Sequence, residues 1–187
     1  MSDSSAQIKK YIDDLSDSSR KVRQQAAVAL SECCTKEAEA ILPYGKELIK
    51  ALDLSDVRFR WAIIDVLTAL APYDTKLCAK ALPGIENALF DEFNGPLHLA
   101  SVRFLCVYGA QSPKASDNVW PLLDEAIQCF HGDQEFQDML NLLVEFSQGK
   151  LSKATKEGFK ERMQFDATNN RGLTQRRAQT IVDNLSK

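Results

Sequence analysis

Apolar residues fall along the chain at helical spacing, in segments separated by short polar turns. Val22, Ala26, Ala27 and Leu30 stand at i, i+4, i+5 and i+8, and Phe59, Ile63, Ile64 and Leu67 repeat that spacing, as do Val102, Cys106, Val107 and Ala110. Such a set lies on one stripe of an α-helix. An arginine follows the first apolar residue each time: Arg23, Arg60 and Arg103. Turn signals precede these segments at Asp17-Ser18-Ser19, Ser55-Asp56 and Asn94-Gly95. The pattern predicts four helix pairs: about 6–15 with 19–34, 36–52 with 56–71, 75–92 with 96–111, and 116–130 with 134–147.

The first helices carry a second periodicity. Thr35-Lys36, five residues, then Leu42-Pro43 recurs as Thr75-Lys76, five residues, then Leu82-Pro83, and a third copy ends in Trp120-Pro121. A fixed period of this length is the mark of a repeat architecture. One helix pair cannot bury its own apolar stripe, so successive pairs must stack into a continuous core. With a proline in the first helix and an apolar-arginine opening in the second, residues 6–148 resemble the HEAT-repeat family. The resemblance implies an all-α fold, an α-α superhelix (right-handed solenoid) of about four HEAT-like helix pairs plus C-terminal helices, with the second helices lining a concave inner wall. One departure stands out. The turn aspartate six residues before the arginine occurs as Asp17 before Arg23, whereas Leu54 and Leu97 occupy the equivalent places.

This organisation predicts a repeat solenoid over residues 1–149 and a basic C-terminal segment over 150–187, acting as capping helices or as a tail. In the latter, Ala178, Ile181, Val182 and Leu185 follow Thr174 at helical spacing, which predicts a last helix capped by Thr174. Asp166 to Gly172 reads as the loop before it.

Composition narrows the class. The chain has 187 residues, 44% hydrophobic and 26% charged, with only 8 Gly and 6 Pro, a globular balance rich in helix formers. No run approaches the roughly 18 apolar residues of a membrane helix, and the start, Met1 to Ser5, lacks the basic and apolar regions of a signal peptide; a cytoplasmic location is expected. Five cysteines without Cys-x-x-Cys spacing predict reduced, buried thiols, and His98 and His131 lack ligand-spaced neighbours, so no metal is expected. Net charge is −3, but residues 1–149 carry 14 basic and 22 acidic groups (−8), while 150–187 carry 9 and 4 (+5). An acidic body argues against nucleic acid as a partner.

Chemistry-bearing motifs are missing from the sequence: there is no phosphate-binding glycine loop, nucleophile elbow, His-Glu dipeptide or Cys-His arrangement. The chain is therefore expected not to be an enzyme and to need no cofactor. Its candidate site is a protein-binding surface. Trp61 lies about 200° around its helix from the core residue Phe59, and Phe104 and Tyr108 take matching places on the next second helix. Together with Arg58, Asp65 and Arg103 they predict an aromatic and arginine strip on the concave wall, the usual composition of binding anchors. An alternative comes from the same residues. Trp61, Asp65 and Arg103 resemble the tryptophan, aspartate and arginine set of the HEAT-like alkylpurine DNA glycosylases, in which they would contact the lesion, stabilise the cationic sugar and hold a phosphate. A further alternative is a structural subunit that self-associates through its basic tail and acidic body.

Overall fold

The computed structural model of the protein describes residues 3–91 and 95–187, apart from the Asp3 side chain. Part of the predicted Asn94-Gly95 turn, the end of the predicted 75–92 helix, Met1 and Ser2 lie outside them. The described residues hold eleven helices and no strand: α1 (Asp3–Asp14), α2 (Arg20–Ile41), α3 (Gly45–Ala51), α4 (Val57–Leu70), α5 (Thr75–Ala79), α6 (Leu82–Leu89), α7 (Gly95–Gly109), α8 (Pro113–Cys129), α9 (Phe136–Phe146), α10 (Lys153–Asn169) and α11 (Gly172–Leu185). They group into two compact units, one ending at Phe104 and one starting at Leu105. The division falls within α7.

Short polar caps start several helices. Asp56 accepts a hydrogen bond from the Phe59 N–H (2.9 Å) at the start of α4, and Asp74 accepts one from Leu77 N–H (2.9 Å) at α5. Ser112 and Ser152 do the same for Ala115 and Thr155 at α8 and α10. Each satisfies one of the backbone donors a helix start leaves unpaired.

Two predicted first helices are broken. α2 runs on past its predicted end, but Glu37 leaves helical geometry (φ −135°, ψ 43°), so the run joins the second helix of one pair to the first turn of the next. A 3-10 turn over Leu42–Tyr44 then contains Pro43, and Pro83 opens α6 after α5 has ended at Ala79. Proline lacks the N–H that an unbroken helix needs there and clashes with the preceding turn. Pro121, by contrast, stands inside α8.

In the first unit α2 packs on α1 and α4, and α3 packs on α4. Their shared core holds Ile8, Leu30, Leu48, Phe59, Ile63, Val66, Leu67 and Leu70, all at 1% exposure or less. The pairs approach closely: a Cβ on Gly45 would fall 2.3 Å from Leu77 Cδ2, so Leu77 fills the space that any other residue at 45 would need. In the second unit α10 packs on α8 and on α11, and α11 packs on α9. Trp120 stacks on Phe159 (ring centroids 5.0 Å) and Phe159 on Phe146 (5.7 Å). The Trp120 indole lies over Gly158, where a Cβ would sit 2.7 Å from Nε1.

The C-terminal segment corrects one expectation. Residues 166–169 continue α10, so the connection to α11 is only Asn170 and Arg171, and Gly172 opens α11 in the left-handed region (φ 67°) that glycine tolerates. Arg171, and not Thr174, stands at the cap position; the Thr174 hydroxyl accepts a hydrogen bond from Gln137 Nε2 (2.7 Å) and so ties α11 to α9. Asp166 is buried and accepts from Asn170 Nδ2 (2.9 Å), with His131 Nε2 at 3.1 Å. The sequence disguised this because a buried aspartate next to polar residues reads as a loop.

Cysteines follow the prediction in part. All five are free; Cys34, Cys78 and Cys106 are buried, Cys33 is half-buried and Cys129 is exposed. Burial pushes the Cys34 thiol up to about 12, and burial with the nearby Asp74 carboxylate does the same to Cys78. At neutral pH these are unreactive packing groups.

Leu67 is wholly buried at the centre of α4, as are Leu105 and Leu140 in the second unit. Substitution Leu67→Ala is expected to cost about 2 to 5 kcal/mol in denaturant unfolding. A loss under about 0.5 kcal/mol would show that the side chain is not packed as described.

Candidate functional site

The predicted site residues do not share one environment. Trp61 is exposed (43%), and so is Arg58, one turn before it on α4. Phe104 (0%) and Tyr108 (2%) are buried, and Asn118 Nδ2 donates to the Tyr108 hydroxyl (3.3 Å). An exposed strip of three aromatics is therefore not formed. The reason is visible in α7, Gly-Pro-Leu-His-Leu-Ala-Ser-Val-Arg-Phe-Leu-Cys-Val-Tyr-Gly, which has no continuous polar face. A helix apolar all round is a buried helix. Repeat-to-repeat alignment equated Phe104 with Trp61, but the polar residues that keep one face of a helix in water are lacking from α7.

What stands exposed is the face that α2 and α4 share. Gln24 Nε2 donates to both Asp56 oxygens (2.9 Å each), and Cys34 Sγ contacts the Val66 carbonyl (3.9 Å). Both links span 32 residues, so α2 and α4 run side by side in the same direction. That register brings Val28, 48% exposed, level with the turn holding Arg58 and Trp61. Lys21, Gln25, Val28 and Glu32 of α2, with Arg58, line a shallow groove of about 390 Å3. Sequence reasoning missed Lys21 and Gln25. Their signal was available: on α2 they are polar residues, Gln25 one turn and Lys21 two turns before Val28.

The three repeat arginines have three fates. Arg23 Nη1 donates to the carbonyls of Asp17 (2.7 Å) and Ser18 (3.0 Å), while the Asp17 carboxylate takes the Ser19 N–H (2.7 Å). The expected aspartate-arginine pair is thus a contact to backbone. Arg60 is buried and meets Asp91 at 3.1 Å. Arg103 meets Asp65 at 3.4 Å, a single long contact with its side chain still 42% exposed.

Two carboxylates on this face differ in state. Around Asp56 burial acts to raise the pKa, but hydrogen bonds from Gln24 and the Phe59 N–H, with the charge and hydrogen bond of Arg20, outweigh it and hold the group below its usual value. At Asp65 burial wins: it raises the pKa by more than the charge and hydrogen bond of Arg103 lower it. Asp65 and Arg103 do meet, while Trp61, to which the glycosylase resemblance assigns the lesion contact, stands 43% exposed.

Elsewhere, His98 Nε2 lies 2.7 Å from the Asp91 carbonyl, a local tie at the start of α7. Among the described residues no group of three or more His, Cys, Asp or Glu side chains is placed to hold a metal, and no helix is long and apolar enough to cross a membrane. In the second unit two arginines of the basic segment make polar contacts within the chain. Arg162 grips Asp124 through Nε (2.5 Å) and Nη2 (3.0 Å), and Arg177 Nη1 donates to the Gln137 carbonyl (2.9 Å). Beside that grip Trp120, Gly158, Glu161 and the exposed Phe165 line a second groove of about 440 Å3, which sequence reasoning missed because Phe165 sits among polar residues.

No family model matches the chain, and no curated protein matches it. Solved structures do, over nearly its whole length. It is similar to computationally designed armadillo repeat proteins for modular peptide recognition (14% identity, 97% of this chain and 88% of that one, TM-score 0.72). A designed armadillo repeat protein in complex with the peptide (KR)4 aligns with 13% identity over 97% of this chain and 86% of that one (TM-score 0.73). The complex of CpcE and CpcF of phycocyanin lyase from Nostoc sp. PCC7120 aligns at 20% identity over 96% of this chain and 65% of that one (TM-score 0.61). The chain spans about half of another similar engineered protein (48%). These likenesses define the class: an all-α helical repeat fold of the armadillo and HEAT-like kind.

Asp65 gives a pH-dependent prediction. A carboxylate whose pKa is raised on folding is held more readily as the acid in the folded chain, so its ionised form opposes folding above that pKa. Replacing it with asparagine removes this cost. Asp65→Asn is expected to melt at or above the wild-type temperature at about pH 7, with the difference shrinking as pH falls to about 4, near the ordinary carboxylate range. A variant that melts several degrees lower at neutral pH would contradict the burial argument.

Proposed function

We propose that the chain is a cytoplasmic, non-enzymatic scaffold of HEAT type that binds a protein partner on the exposed face of α2 and α4 and takes no cofactor. The observation that carries this reading is Trp61. It stands 43% exposed on α4 while Phe59, Ile63, Val66 and Leu67 of the same helix are at 0%. Nearly half of the large indole is left in water there, and an exposed tryptophan beside an arginine and an apolar neighbour is the composition of a binding anchor. Likeness to designed repeat proteins for peptide recognition supports a polypeptide as the partner.

The site residues of this reading are Arg58, Trp61, Asp65 and Arg103, with Val28 added; the buried Phe104 and Tyr108 drop out of it. The self-association reading draws less support, because Arg162 and Arg177 of the basic segment already have partners within their own chain. The glycosylase reading draws none from the open setting of Trp61.

Proteins retained from source-cell lysate by the wild-type chain, but not by Trp61→Ala, should then be measured in purified form by calorimetry. The substitution is expected to weaken binding by about 2 kcal/mol while leaving the melting temperature near that of wild type. Tyr108→Ala is expected to do the reverse in stability, lowering the melting temperature clearly because it empties a buried site. A Trp61→Ala variant that unfolds, with Trp61→Phe folded and binding normally, would make Trp61 a packing residue and end this assignment.

A further inference from the structure

The charges around the proposed face specify its partner further, on the condition that this face is the binding surface. Of the residues lining the α2–α4 groove, Lys21 and Arg58 are exposed cations with no ion pair among the described residues, and Glu32 is the sole acid. Two acids of α4 and its cap are already engaged. Asp56 is held by Arg20, Gln24 and the α4 backbone. Asp65 is engaged by Arg103, whose long single contact leaves guanidinium donors facing water. Val28 and Ala29 give the groove an apolar stretch beyond Lys21 and level with the Arg58 turn, and Trp61 continues that surface one turn along α4.

The dimensions are those of a short peptide. From Lys21 to Glu32 the groove follows three turns of α2, about 16 Å at 1.5 Å per residue, which an extended chain covers in about five residues. A carboxylate laid near Arg58 or Lys21 would gain a charge-assisted hydrogen bond, and an apolar side chain next to it along the groove would cover Val28 and Trp61. A basic segment would meet Lys21, Arg58 and Arg103 with only Glu32 uncommitted to receive it. Complementarity of this kind sets specificity and encounter rate. We propose that this face takes an acidic peptide segment of about five residues, with Asp or Glu next to an apolar side chain, from a protein partner.

The test is selection of a random-peptide phage library on the immobilised full chain, followed by fluorescence anisotropy of the enriched peptides. Acidic, apolar-containing peptides are expected to be enriched. Their binding is expected to fall about tenfold or more in the double variant Lys21→Glu, Arg58→Glu, to fall in Trp61→Ala, and to weaken with added salt. Both substituted cations are exposed, and an unchanged melting temperature confirms that the double variant is folded. Basic or neutral peptides that depend on Trp61 would overturn the acidic assignment and leave the binding face standing. So would acidic peptides that bind the charge-reversed variant equally well. Peptides indifferent to both variants, or no enrichment over the bare support, would overturn the face and the assignment together.

Discussion

The constraint on which the rest of this structure depends is that no helix pair here can bury its own apolar stripe. Each second helix needs a neighbouring helix within a few ångströms of its backbone, and the sequence provides small residues where that approach is tightest. Gly45 leaves the space that Leu77 fills, Gly158 the space under Trp120, and Gly109 the space for Val119 and Phe146. Larger residues at these points would push neighbouring helices apart. Burial of the partnering side chains, with Phe59, Phe146 and Phe159 at 1% exposure or less, is the corresponding gain.

Polar groups are arranged to permit that packing. Arg60 is carried into the first unit's interior only with Asp91 beside it, and Asp166 into the second with Asn170 and His131 in reach. Caps at Asp56, Asp74, Ser112 and Ser152 release the second helices and their partners from unpaired backbone donors at their starts. Once the stripes are buried and the ends capped, the face left over is defined by exclusion. On α4 it is Arg58, Trp61 and the edge of Asp65, which explains why a binding surface and a packing surface can share one helix of fourteen residues.

Much of the fold was legible from apolar spacing alone, because burial acts on side chains at i, i+4 and i+8 irrespective of partner. Helices occupy all four predicted pairs among the described residues, with the second helices of the last three close to their predicted bounds and the first helices of the second and third pairs divided, and Ile63, Val66, Leu67, Leu70, Leu105 and Leu140 are fully buried. Backbone breaks were less legible: Pro43 and Pro83 divide their helices while Pro121 does not, a difference set by the local turn and not by the residue. The site was legible only in part. Repeat alignment locates a position on a helix but not what covers it, so Trp61 and Phe104, equivalent by alignment, differ as exposed and buried. The apolar run through α7 carried that information, and the polar residues Lys21 and Gln25 marked the groove.

If stacking of pairs is what stabilises the chain, removing the last pair must uncover the one before it. The direct measurement is thermal unfolding, followed by circular dichroism, of a chain ending at Gly149 beside the full-length chain. Loss of α10 and α11 takes Phe159 from Trp120 and Phe146, and Arg162 from Asp124. A clearly lower melting temperature, with exposed apolar surface detected by dye binding, is the result this account predicts. An unchanged melting temperature and no added dye binding would mean that residues 150–187 are not part of the packed repeat, and would contradict it.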